Sequence, residues 1–326
     1  MKQIVVIGLG IAAVLLLIIP LASQAPLRDF ALKEAPVSLL FVGDIMLDRD
    51  VARHARVAGN EALFAQVSEA LLAHDIVVGN LEGTITTNLS VAEVDNTILR
   101  FTFPPEWAGI LHEAGFDAVS LANNHALDFG EFGLEDTEHY LSEAGIAFFG
   151  SPYNETHLAI ETIFRDRTLC FVGYHELFAR DPNPVIEKIK EIEPKCDYTT
   201  LFAHWGVEYE YEPSASQREL AHLFVDAGAD LVIGAHPHVV QPLEIYNNVA
   251  IFYSLGNFIF DQGWRSEVKR GVMVGVELEG NVQRFTLVPV STYLEVTPAE
   301  EVVARAVLND LGVNSPTFEL DSSDTI

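Results

Sequence analysis

A chain of 326 residues with 47 acidic and 19 basic side chains, a formal charge of −28 and 49% hydrophobic residues has enough apolar material for one large core and a strongly acidic surface. That balance excludes nucleic acid as the main partner, because phosphate backbones are bound by Lys and Arg. The two cysteines, Cys170 and Cys196, are too few for a disulfide framework, although one bridge is open outside the cytoplasm.

The first predicted element is a leader. Residues 4–22 are uncharged and rich in Ile, Leu, Val and Ala, close to the roughly 20 residues that cross a bilayer as a helix. Lys2 supplies a positive flank, and Ser23-Gln24-Ala25 offers a small-x-small cleavage site. A cleaved signal and an uncleaved anchor both fit. The length of the apolar stretch favours a single-pass membrane helix, with residues 1–3 cytoplasmic, 23–36 a tether and the rest outside the cell membrane.

An alternation of apolar strand, polar loop and amphipathic helix follows. Strands are expected at 37–42, 76–78, 118–121 and 146–149, and helices at 61–73, 105–114 and 131–143, the last stopped by Gly145. Residues 84–102 lack periodicity and read as a long loop. A hairpin is expected from 158–164 and 168–173, then a helix at 184–193, a strand at 198–202, a helix at 215–227 and a strand at 231–233. Two more hairpins turn at Asn247-Asn248 and Gly280-Asn281. A last helix at 297–311 precedes a polar tail, 312–326, expected to fray. The fold class is α/β, a layered sandwich of two β-sheets flanked by helices, with one main domain over 37–297 and a C-terminal helix and tail over 298–326.

Five of these apolar strands end in polar clusters: Asp44, Glu82, Asn124 with His125, His204, and His236 with His238. Ligands of open α/β sheets bind beyond the carboxyl ends of strands, so these ends belong in one crevice. Carboxylate, imidazole and amide oxygen suit Mn, Zn, Fe or Mg. Two such ions, bridged by a carboxylate, can clamp a phosphoryl group and activate water.

The ordered motifs Gly43-Asp44-Ile45-Met46-Leu47, Gly79-Asn80-Leu81-Glu82, Ala122-Asn123-Asn124-His125, His204-Trp205-Gly206-Val207-Glu208, Gly234-Ala235-His236-Pro237-His238 and Ser254-Leu255-Gly256-Asn257 resemble the CapA (PgsA) family of poly-γ-glutamate capsule-synthesis proteins. That family is similar to calcineurin-like metallophosphatases. The resemblance implies one or two divalent ions. Asp44 and His238 would hold the first, Asn124, His204 and His236 the second, and Glu82 would take the bridging place, with His125 as the catalytic group facing substrate. It also implies a membrane setting, other capsule-synthesis membrane proteins as partners, and an anionic polymer or a phosphoester as substrate. A non-catalytic part of a polymer-synthesis complex is the rival.

Met46 departs from the metallophosphatase pattern, which has a histidine there, so the first ion loses an imidazole. Asp48 is read as a surface acid, with compensation at the first site as its other possible role. Asn123, Trp205, Glu208 and Asn257 are candidates for supporting ligands or touching substrate. Asp128 is expected to organise the turn before the next helix.

Overall fold

The computed structural model describes residues 35–179 and 181–321. The leader falls outside them; no helix among the described residues is long and apolar enough to cross a membrane.

The first half of the chain runs β1 (Val37–Ile45), α1 (Arg49–Ala58), α2 (Ser68–Leu72), β2 (Ile76–Leu81), two short strands β3 (Thr84–Ile85) and β4 (Thr102–Phe103), α3 (Glu106–Ala114), β5 (Ala118–Ser120), α4 (Gly130–Ala144) and β6 (Ala147–Phe149). The second half runs β7 (Ala159–Phe164), β8 (Arg167–His175), α5 (Asn183–Ile192), β9 (Tyr198–His204), α6 (Ala215–Asp226), β10 (Leu231–Ala235), β11 (Leu243–Tyr246) and β12 (Val249–Phe252). The chain then returns through β13 (Asn257–Ile259), β14 (Arg270–Glu279), β15 (Val282–Ser291), β16 (Thr297–Pro298), α7 (Glu301–Asp310) and β17 (Thr317–Asp321).

Among the described residues the strands build two large sheets. One has the order β16-β15-β14-β1-β2-β5-β6, with β13 also on β1 and β17 also on β15; the other has the order β11-β12-β10-β9-β8-β7. Phe41, Val78, Val274 and Phe285 of the first sheet share a buried core with Phe171, Phe202, Ile233 and Phe252 of the second. The outer face of the first sheet packs against α1 to α4 and that of the second against α5 and α6. The layers are therefore helix, sheet, sheet, helix, as the alternating pattern requires. The strands reaching the site, β1, β2 and β5 in one sheet and β9 and β10 in the other, pair in parallel, so their carboxyl ends share an edge.

All three expected hairpins form, as β7–β8, β11–β12 and β14–β15. The helix expected at 61–73 is broken: a 3-10 turn at Asn60–Leu63 precedes the short α2. The loop 84–102 contains β3 and β4, which pair in parallel. The tail does not fray where it is described. β17 pairs antiparallel with β15, and Phe318 stacks on Phe285 at 4.5 Å. That strand is held by a partner distant in sequence, so no local signal announces it. The two cysteines form a disulfide that ties β8 to the turn before β9.

Candidate functional site

Asp44 reaches the site because Gly43 lets β1 pass the 254–257 turn closely. A Cβ on Gly43 would lie 1.8 Å from the Gly256 carbonyl oxygen, and the Asp44 amide donates to that oxygen at 3.2 Å. Asp44 is fully buried. One of its oxygens accepts from Asn80 Nδ2 at 2.8 Å, and the other lies 3.1 Å from His238 Nδ1. His236 and His238 both have positive φ, 93° and 58°. Such backbone costs about 1–3 kcal/mol per residue and persists where the surroundings demand it; here the His238 ring meets Asp44 and Glu82, and the His236 ring lies beside His204 and Glu208.

Glu82 has no exposed surface, and neither carboxylate oxygen has a hydrogen-bond partner. Around it stand His238 Nε2 at 3.7 Å and His125 Nε2 at 3.8 Å. Burial first, and then Asp44, hold the Glu82 carboxyl well above the usual carboxylate range. Burial alone would lower His238, but the Glu82 and Asp44 carboxylates carry it up to about 9. His236 goes the other way, to about 3, through burial and the neighbouring His238. Burial and the surrounding histidines likewise hold His204 well below an ordinary imidazole. His236 and His204 are thereby neutral imidazoles, the form in which histidine binds a cation, whereas His238 would give up its proton to a metal.

His204 Nε2 faces Asn124 Oδ1 at 2.7 Å, and its ring lies 4.7 Å from that of His236. The structure thus brings together Asp44, Glu82, Asn124, His125, His204, His236 and His238. One ligand atom each of Asp44, Glu82 and His238 lie within 4.8 Å of one another, as do one each of Glu208, His236 and His238. The fit to a divalent cation rests on the stranded Glu82 oxygens and on His236 Nδ1, which also lacks a partner.

The supporting residues divide. Asn257 Oδ1 lies 3.0 Å from His238 Nδ1. Asn123 donates to Asn80 and to the Leu81 carbonyl, and accepts from the His125 amide. Trp205, a candidate for substrate contact, is fully buried; its Nε1 donates to the Tyr253 carbonyl at 2.9 Å, so it serves the core. Asp48 is corrected too. It is buried, caps α1 by accepting from the Arg49 amide, and accepts from Thr102, so it is neither a surface acid nor a free donor. The Met46 thioether is buried in the helix-side core and accepts from the Asp48 amide.

Three residues carry roles that sequence reading did not give them. Asn80 touches both halves of the site, donating to Asp44 and lying 3.2 Å from His204 Nδ1. Asp128 does more than shape a turn: it holds His125 Nδ1 at 2.7 Å and accepts from the Phe101 amide, a pairing that the spacing of 125 and 128 could have suggested. Arg49, buried and with positive φ, lies over Phe101 and Phe260, the rings that pack on His125 and His238.

A family model described as bacterial capsule synthesis protein PGA_cap matches residues 38–262. The PGA biosynthesis protein CapA of Bacillus subtilis (strain 168) is 31% identical over 322 residues, 89% of this chain and 84% of that one. The capsule biosynthesis protein CapA of Bacillus anthracis is 32% identical over 268 residues, 75% of this chain and 64% of that one. Among solved structures, a phosphatase from Mycoplasma pneumoniae gives a TM-score of 0.45 at 14% identity, over 88% of this chain and 94% of that one.

Proposed function

We propose, since this chain belongs to the bacterial capsule synthesis protein PGA_cap family, that it serves capsule-polymer synthesis through a metal-dependent, phosphoesterase-like cleft. The polymer is poly-γ-glutamate or a related polyanion. The observation that carries the reading is Glu82: a fully buried carboxylate with two unpartnered oxygens, ringed by Asp44, His125 and His238. A buried carboxyl whose oxygens lack hydrogen bonds is costly, and a divalent cation is a partner that the surrounding donors suit.

Asp44, Glu82 and His238 would hold one divalent ion, and Asn124, His204 and His236 a second. Such ions polarise phosphoryl oxygens and offset developing charge. The protein's own share is positional. Asn257 and Asn80 orient His238 and Asp44, and Asp128 fixes the His125 ring so that Nε2 faces the cleft, where it can pass a proton to a leaving oxygen. Residues 4–22 are proposed as a single-pass anchor that keeps the domain outside the cell membrane, beside the other membrane proteins of polymer synthesis.

A second reading, a non-catalytic component that binds or exports the polymer, is favoured by Met46. Its thioether is turned into the core, so β1 supplies no imidazole to the first ion.

The test is metal analysis of the purified full chain in detergent, paired with hydrolysis of bis(p-nitrophenyl) phosphate. Bound divalent metal is expected, with hydrolysis that His125→Ala abolishes while metal content stays. A chain that takes up no divalent metal, and is indifferent to His236→Ala, would defeat the metal site. Metal uptake without hydrolysis would select the second reading.

A further inference from the structure

The missing imidazole leaves a question that the loop after β9 answers. Glu208 is exposed, four residues beyond His204, yet its carboxylate groups with the ring nitrogens of His236 and His238, all within 4.8 Å. Its charge bears on Glu82, on His238 and on Tyr209. His238 is therefore shared by two donor groups, with Asp44 and Glu82 on one side and Glu208 and His236 on the other. Independently of Glu208, the buried Glu82 oxygens and His236 Nδ1 lack partners. Nothing on Met46 can join them, since its sulfur accepts from the Asp48 amide on the core side of the strand.

We propose that Glu208 is a direct ligand of the first metal ion, in place of the imidazole that β1 does not supply. The inference rests on the metal-dependent reading above. The ligand set becomes Asp44, Glu82, Glu208 and His238, three carboxylates and one imidazole. Exchanging an imidazole for a carboxylate hardens the site, and oxygen-rich sites favour Mn²⁺ and Mg²⁺ over Zn²⁺. Glu208 comes from an exposed loop, whereas Asp44, Glu82 and His238 are fixed in the core. The fourth donor therefore closes the site from the solvent side.

Folding should tolerate change at an exposed side chain, so the substitution Glu208→Gln isolates ligation. Mn²⁺ titrations of the full chain in detergent, followed by electron paramagnetic resonance and by metal content after dialysis, read binding without any turnover. The expected result is that Glu208→Gln weakens one class of Mn²⁺ site at least tenfold and leaves thermal stability in chelator unchanged. Glu208→His should recover binding and move the preference toward Zn²⁺. A Glu208→Gln titration that superimposes on the unsubstituted chain overturns this inference alone. An unsubstituted chain that binds no divalent cation overturns it together with the metal-dependent reading. Should Glu208→Gln fail to fold, Glu208→His decides: unaltered preference for Mn²⁺ over Zn²⁺ refutes ligation, and a shift to Zn²⁺ supports it.

Discussion

Replacing Glu82 by Met separates what the carboxylate costs the empty site from what it contributes to a filled one. Met fills a similar volume without oxygens, and His238 keeps Asp44 at 3.1 Å, so no imidazole is stranded. A buried polar group left unsatisfied costs about 1–3 kcal/mol. A domain of about 290 residues has an unfolding entropy near 0.6 kcal/mol per degree. In chelator, Glu82→Met should therefore melt about 2–5 °C above the unsubstituted chain. Metal at 100 times its Kd adds about 2.7 kcal/mol to a protein that binds it only when folded, or about 4–5 °C here. The unsubstituted chain should gain that increment and the variant little of it. Differential scanning fluorimetry of both, in chelator and in saturating Mn²⁺, should show the unsubstituted chain rise by that increment and close or reverse the gap, while the variant stays near its chelator midpoint. A variant less stable than the unsubstituted chain in chelator, or one with an equal Mn²⁺ shift, would refute the reasoning.

Three further outcomes are expected. Asp128→Asn should lower phosphodiester hydrolysis about 100-fold or more while metal content holds, because it frees the His125 ring without touching a metal donor; loss of metal instead would move Asp128 into the metal site. The Cys170–Cys196 bridge, with a sequence separation of 26, should contribute about 3.5 kcal/mol by constraining the unfolded chain; an unchanged urea midpoint after reduction would count against it. His175 is fully buried, and burial lowers its pKa from 6.5 to about 4. Its unfolded form takes up a proton first, so stability is full above pH 6.5 and falls by about 3 kcal/mol as pH drops toward 4. Urea titrations in chelator should show His175→Gln losing correspondingly less over that window, and an identical acid limb would refute the assignment.

The strand ends were legible because the signal is local. Each apolar run stops at a polar residue, and the parallel order of β1, β2 and β5 carries Asp44, Glu82 and His125 to one edge. Roles decided by geometry across the cleft were not legible. Asn80 reads as an ordinary strand-end amide until Asp44 and His204 are seen on either side of it. A register irregularity at Asp44 and Ile45, where β13 meets β1, lies next to Met46, and such irregularities re-aim side chains without a local sequence signal. α1 lacked a strong apolar stripe, since Val51, Ala52 and Ala55 suffice for its small buried face. Its cap, Asp48, looked like a surface acid because burial beneath Thr102 is a long-range fact.

Charge ties the site to the family's polymer. A chain at −28 facing a polyanion meets long-range repulsion, and the cleft adds Asp44, Glu82 and Glu208. Protons on Glu82 and His238, both with raised pKa values, offset part of this charge but cannot make it positive, because Asp44 and Glu208 remain. Divalent ions bound as proposed would reverse the sign where it matters, at Asp44, Glu82 and Glu208, and leave the outer surface acidic. An acidic exterior with a cation-lined cleft would repel bulk polymer and admit an end or a single phosphoryl group. That selectivity suits a protein that acts on termini or on activated intermediates better than one that coats itself along a chain.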